Sequence, residues 1–145
     1  MPKNDECYTP KWIFETLGIT FDLDVAHPIN QLEHVPAHKR LTIEDDGLTS
    51  DWTGNVWMNP PYSKPKPWVE KFISHGKGIA MLPLSLSYWS KAIWNAADAV
   101  TLTERQPKFL RPDGTEQGVR FPTFLFAIGS ENAKALRNFT EYRVR

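Results

Sequence analysis

A chain of 145 residues, 41% hydrophobic and 23% charged, has the composition of one globular domain, too short for two full-sized ones and too apolar for a disordered chain. Formal net charge is zero, which gives a polyanion partner no support, yet residues 1–60 carry four Lys/Arg against ten Asp/Glu (net −6) and residues 61–145 thirteen against seven (net +6). The lone Cys7 excludes an internal disulfide and a Cys-based metal site. With no apolar leader at the N-terminus and no run near the ~18 apolar residues of a membrane span, a cytoplasmic protein is expected.

Thr9-Pro10 reads as an N-cap followed by proline at the first helical position, and Trp12, Ile13, Phe14 and Leu17 form the apolar stripe of a short helix ending at Gly18. Phe21, Leu23 and Val25 alternate with Asp22 and Asp24, the period of a strand over Ile19 to Ala26, which His27-Pro28 ends. Pro28 to Trp52 is polar and irregular, with Arg40 to Ile43 as its one short strand. Asn55 to Met58 reads as a buried strand that runs directly into Asn59-Pro60-Pro61-Tyr62. A helix then begins around Pro67, carries Trp68, Val69, Phe72 and Ile73 inward, and is terminated by Gly76 and Gly78.

Ile79 to Leu84 is a further buried strand, Trp89 to Ala97 a helix, and Ala99 to Leu102 the next strand. This alternation predicts an α/β fold: a mostly parallel sheet with helices on both faces. Toward the C-terminus, Lys108-Phe109-Leu110 and Phe121 to Ile128 flank the turn signal Arg111-Pro112-Asp113-Gly114-Thr115, which predicts antiparallel strands around it. Glu131 to Phe139 reads as a short helix and Glu141 to Val144 as an edge strand.

The chemistry concentrates at Asn59-Pro60-Pro61-Tyr62. In a doubly wound sheet a strand delivers such a turn to the carboxyl end, where ligands bind. An exocyclic amine is a poor nucleophile because its lone pair is delocalised into the ring; two acceptors holding its hydrogens favour a pyramidal nitrogen. The Asn59 side-chain carbonyl is one acceptor and the Pro60 backbone carbonyl the other. Pro60 and Pro61 fix two φ angles and push the residues before them to extended geometry, so the acceptors are preorganised. Tyr62 offers a face on which a base rotated out of a duplex stacks.

The run Asn59 to Ser63 matches the Asn/Asp-Pro-Pro-Tyr signature of amino-methyltransferases, and the order of the surrounding segments resembles the phage-type DNA N-6-adenine methyltransferases. The resemblance extends to Tyr8-Thr9-Pro10, to Phe21 through Ala26, to Asp46-Gly47-Leu48, to Asp51-Trp52, to Leu82-Pro83 and to Arg105 through Phe109. It implies a single Rossmann-like methyltransferase domain over 1–145. The methyl donor is S-adenosylmethionine, no metal is involved, and the product is N6-methyladenine in DNA, made in the host cytoplasm for a phage-encoded enzyme. Carried over by position, Asn59, Pro60, Pro61 and Tyr62 are the catalytic residues. Tyr8, Thr9, Pro10, Asp24, Ala26, Asp46 and Asn59 lie against the cofactor.

One departure is visible. Related families carry a glycine-rich turn after the first strand, whereas this chain reads Asp24-Val25-Ala26-His27-Pro28-Ile29-Asn30. Two other readings of the same sequence are a methyltransferase acting on a protein glutamine or an RNA base, and a silent binding module with the same fold. Lys64, Lys66, Lys71, Arg105, Lys108, Arg111 and Arg120 are candidates for DNA phosphate contacts. His34 and His38 have metal-pair spacing, but Pro36 between them breaks the helix such a pair needs.

Overall fold

The computed structural model describes residues 9–29, 35–83, 85–103, 108–110, 116–118, 123–139 and 144–145. Its elements in chain order are α1 (Lys11–Leu17), β1 (Phe21–Asp24), β2 (Ala37–Arg40), β3 (Val56–Met58), α2 (Lys66–His75), β4 (Gly78–Pro83), α3 (Tyr88–Ala96), β5 (Ala99–Leu102), β6 (Lys108–Leu110), β7 (Glu116–Gly118), β8 (Thr123–Ile128) and α4 (Ser130–Leu136).

Six strands form one sheet in the order β2-β1-β3-β4-β8-β5. Neighbours from β2 to β4 are parallel, while β8 runs antiparallel to both β4 and β5. The mostly parallel α/β sheet expected from the alternating pattern is therefore present, with one reversed strand inside it. Its inner strands β3, β4 and β8 are buried on both faces because helices cover both, whereas the edge strand β2 is polar. Phe21, Trp57, Ile79, Met81, Leu125 and Ala127 share one core with Ile13, Phe14 and Leu17 of α1 and Ala135 and Leu136 of α4. Leu23, Val56, Met58, Ala80, Leu82, Val100 and Phe126 share the other with Val69 and Phe72 of α2 and Ile93 of α3. Phe14 meets the edge of Trp57 at a centroid distance of 4.8 Å, which fixes α1 over the centre of the sheet.

The helices end where the glycines predict: Gly18 (φ 68°) and Gly76 (φ 81°) adopt the left-handed conformation that closes α1 and α2. The start of α1 differs. Pro10, with extended φ and ψ, is the N-cap, and no side chain caps the helix. Thr9 is thereby released for another partner. Three further expectations are corrected. The short strand after residue 28 lies at Ala37–Arg40, pairing with β1, and not at Arg40 to Ile43. Lys108–Leu110 pairs with Glu116–Gly118, a strand the sequence did not suggest, to make a separate hairpin. The apolar strand after that hairpin leaves it and inserts between β4 and β5, because a fully apolar strand needs cover on both faces and only the main sheet provides it. Most of Glu141 to Val144 lies outside the described residues, but Val144 and Arg145 donate backbone hydrogen bonds to Val100 along β5.

At the other end of the sheet, Asn55 and Asn132 exchange side-chain amide hydrogen bonds of 2.9 and 2.7 Å, both buried, tying the start of β3 to α4. Replacing one leaves the other buried without its partner. Asn132→Ala is expected to cost about 1–3 kcal/mol in urea unfolding, with the reciprocal Asn55→Ala adding little in the double variant because each removes the same pair.

Candidate active site

The chain order of the sheet reverses between β1 and β3. From β1 the chain moves outward to β2; β3 then lies on the other side of β1, and the order continues away to β4. At such a switch point the connections leave in opposite directions and open a crevice at the carboxyl ends of the two strands. Two sequence-predicted segments meet there. Val25 N–H donates to the Trp57 carbonyl at 3.1 Å, so the loop after β1 runs alongside Met58 and Asn59.

Asn59 is half-buried, and its Nδ2 donates to the Thr9 hydroxyl at 2.9 Å. Thr9 is 5% exposed, so this bond is sheltered from water. It fixes the amide plane and commits the nitrogen to Thr9, leaving Oδ1 as the acceptor directed elsewhere. Pro60 is buried and Pro61 half-buried, a rigid pair beneath the side chain. Tyr62 packs on the α1-side core, and its hydroxyl makes a long 3.4 Å hydrogen bond to the Met81 carbonyl of β4. The ring is thus braced across β3 and β4. Thr9 and Pro10 join the site from fifty residues away, which the sequence places there only through family resemblance.

Asp24 closes β1 and is 2% exposed. Its carboxyl accepts from the Ala26 N–H at 3.3 Å and pairs with His27 Nδ1 at 2.7 Å, so it shapes the loop from within. Burial pushes the Asp24 carboxyl above its ordinary range, partly countered by the hydrogen bond and charge of His27. His27 is 4% exposed, and its Nε2 has no hydrogen-bond partner among the described residues. In the sequence His27 marks only the end of the strand with Pro28; its burial against Asp24 is visible only in the fold.

Asp46 sits in an exposed turn at a positive φ of 54°, its Oδ1 accepting from the Leu48 N–H at 3.2 Å. The following Gly47 presses on the loop after β1: a Cβ there would collide with the Val25 carbonyl oxygen and the Trp68 ring. Close backbone approach at this loop, which a glycine-rich turn provides in related families, is here supplied by a glycine from the next crossover. That crossover is clamped to α2. Trp52 Nε1 donates to the Gly47 carbonyl at 2.8 Å, Trp52 and Trp68 stack at 6.5 Å, and Lys71 Nζ donates to the carbonyls of Leu48 and Ser50 while lying 5.0 Å over Trp52. Lys71 is therefore a brace for this loop and not an open phosphate contact.

Of the other candidates, Lys64 and Lys66 are exposed just after the motif, Lys66 making a 3.9 Å surface pair with Glu70. Tyr8, Arg105, Arg111, Arg120, Asn30 and His34 lie outside the described residues, and for Lys108 only the backbone on β6 is described. Among the described residues no three His, Cys, Asp or Glu side chains gather as a metal site, and no helix is long and apolar enough to cross a membrane.

A wound sheet with one reversed strand, two helices on each face and an Asn-Pro-Pro-Tyr turn at its switch point defines a Rossmann-like methyltransferase fold. The DNA N-6-adenine-methyltransferase (Dam) family model matches residues 1–122. The chain is also 34% identical over 122 residues to the DNA N-6-adenine-methyltransferase of Haemophilus phage HP1 (strain HP1c1), covering 75% of this chain and 68% of that protein. The chain belongs to the DNA N-6-adenine-methyltransferase family. No solved structure matches it.

Two outcomes follow from this geometry. Thr9→Val removes the hydroxyl that holds the Asn59 amide and is expected to lower kcat about tenfold, the worth of one buried hydrogen bond, with Thr9→Ser restoring most of it. For Asp24, the folded carboxyl titrates above the unfolded one, so its stabilising contribution is full below the ordinary carboxylate range and is lost as pH rises through the raised value. Asp24→Asn is expected to flatten that fall in urea-unfolding free energies measured from acid to neutral pH.

Proposed function

We propose that the protein transfers a methyl group from S-adenosylmethionine to the exocyclic N6 of adenine in DNA. The observation that carries this reading is the Asn59 amide, held by Thr9 at the carboxyl end of β3 with a rigid Pro60-Pro61 pair behind it. Family membership and the named activity of the phage relative supply the substrate class.

S-adenosylmethionine, when bound, supplies a methyl group on an electrophilic sulfonium. The chain fits such a cofactor at the β1/β3 crevice. The buried Nε2 of His27 is a polar atom the described residues leave without a partner, and Gly47 lets two backbone segments close on the loop that would line it. Thr9, Pro10, Asp24, Ala26, Asp46 and Asn59 flank this crevice as cofactor-binding residues, Asp24 by shaping the loop through Ala26 and His27 and not by exposed contact.

Asn59 Oδ1 and the Pro60 carbonyl accept the two amino hydrogens of adenine and draw its lone pair out of the ring plane. Tyr62 stacks on the base, braced by its bond to Met81. The amine is a neutral nucleophile: its N–C bond to the methyl group would form as the S–C bond breaks and S-adenosylhomocysteine leaves, with the surplus proton passing to water, so a neutral amide suffices where a hydrolase would need carboxylates. Lys64 and Lys66 beside the motif hold the DNA backbone, with Arg105, Lys108 and Arg111 from the later segment. The reaction takes place in the cytoplasm, that of the host for a phage-encoded copy.

The test incubates the purified protein with methyl-labelled S-adenosylmethionine and, in parallel, unmethylated DNA, RNA and protein extract. Label is expected in DNA as N6-methyladenine, reduced at least about a hundredfold in Asn59→Ala, the scale of losing one transition-state hydrogen-bonding group. Label in protein or RNA alone overturns the substrate.

A further inference from the structure

Two large apolar side chains stand in water at the catalytic end of the sheet. Leu86 is 89% and Tyr88 87% exposed, the highest values among the large hydrophobics described. Both follow β4, the strand hydrogen-bonded to the one that carries Asn59 and Pro60. Met58 pairs with Ala80 in a parallel register, so the last residues of β4 lie level with the motif and the segment after Pro83 leaves the sheet at the same end. The Tyr62 hydroxyl bridges to Met81 in that same strand.

The segment is preformed. Ser85 Oγ donates to Ser87 Oγ at 2.9 Å and accepts from the Ser87 N–H at 3.1 Å, closing a tight turn with Leu86 at its crest. Tyr88 opens α3, and Lys91, one turn on, places Nζ 5.6 Å over its ring. The ring is therefore backed by a cation, the pairing that serves contact with stacked bases on one side and phosphate on the other.

Neither residue is needed by either core, and isolated surface hydrophobics are ordinary. A pair on a rigid turn beside a site whose substrate atom is buried in a duplex is a different matter. A methyltransferase reaches adenine N6 only after the base leaves the stack, and the gap left behind must be kept from closing. Apolar side chains inserted between base steps do this, and leucine is among those used.

We propose that Leu86 and Tyr88 form a wedge that enters the duplex beside the target adenine and holds the stack open, with Lys91 against the flanking phosphate. The proposal rests on adenine in DNA being the substrate.

The test compares the wild type with a Leu86→Ala/Tyr88→Ala double variant on two duplexes carrying the recognition sequence, first read by sequencing plasmid DNA that the wild type has methylated. One duplex is fully paired; the other has an abasic site opposite the target adenine, so that the base is already unpaired. The double variant is expected to lose at least about tenfold in kcat/KM on the paired duplex, the cost of holding a paired base out unaided. On the abasic duplex it should stay within about twofold of wild type, because a base that is already unpaired does not need the wedge to hold it out. Its melting temperature and S-adenosylhomocysteine affinity by calorimetry should be unchanged. Equal losses on both duplexes, no loss on either, or weakened cofactor binding overturns the wedge. A wild type that labels no DNA overturns the substrate reading beneath it, an outcome distinct from all three.

Discussion

The reversal of winding between β1 and β3 is the constraint on which the site depends. Because β2 and β4 lie on opposite sides of this pair, the connections after β1 and β3 leave in opposite directions, the arrangement at which wound sheets bind their ligands. Five residues gather at these strand ends: Asp24 at the end of β1 with His27 just after it, Asn59 and Pro60 after β3, and Thr9 from the approach to α1. The cores beneath make the opening rigid. Trp57, 1% exposed, sits one residue before Met58 and is clamped by Phe14 on the α1 side, while Met58 faces α2. Asn59 thus inherits its position from a strand buried on both faces.

The opening is held to size by a second device, the crossover from β2 to β3. No helix occurs among its residues, 41–55, and no sheet pairing holds its middle. Aromatic and cationic side chains take over that task. Trp52 and Trp68 stack, Lys71 gathers carbonyls of the loop, and His75 pairs with the Gly54 carbonyl at 2.7 Å. Gly47 is thereby pressed onto the backbone after β1, where a side chain would not fit. Two of the chain's six tryptophans, Trp52 and Trp68, have this structural purpose, which composition alone cannot distinguish from a binding surface.

Much of the fold was legible because it depends on local signals. Gly18 and Gly76 end their helices in the sequence and in the structure, and Ala99–Leu102 is a strand in both, since neither caps nor apolar runs require knowledge of distant partners. The motif was legible for the same reason: two prolines after an apolar strand rigidify the same turn in any context. What failed was pairing. Lys108–Leu110 reads as the partner of the apolar strand near residue 125, the nearest one across a turn signal. That strand instead lies between β4 and β5, and Glu116–Gly118, with no apolar content to announce it, takes its place in the hairpin. Thr9 failed similarly. Its local reading as a cap was reasonable chemistry, but a partner fifty residues away claims the hydroxyl.

The sequence by itself determined most of the elements and one rigid polar group: periodicity marks the helices and the apolar strands, and Asn59-Pro60-Pro61-Tyr62 carries its carbonyls and two fixed φ angles within four residues. The tertiary structure alone decided how that group is oriented and what surrounds it. Orientation of the Asn59 amide requires the Thr9 hydroxyl, closure of the loop after β1 requires Gly47, and Nε2 of His27, without a hydrogen-bond partner among the described residues, is sealed from water only by the fold. Each is a contact between segments far apart in the chain, and such contacts are set by which strands pair and which faces are covered.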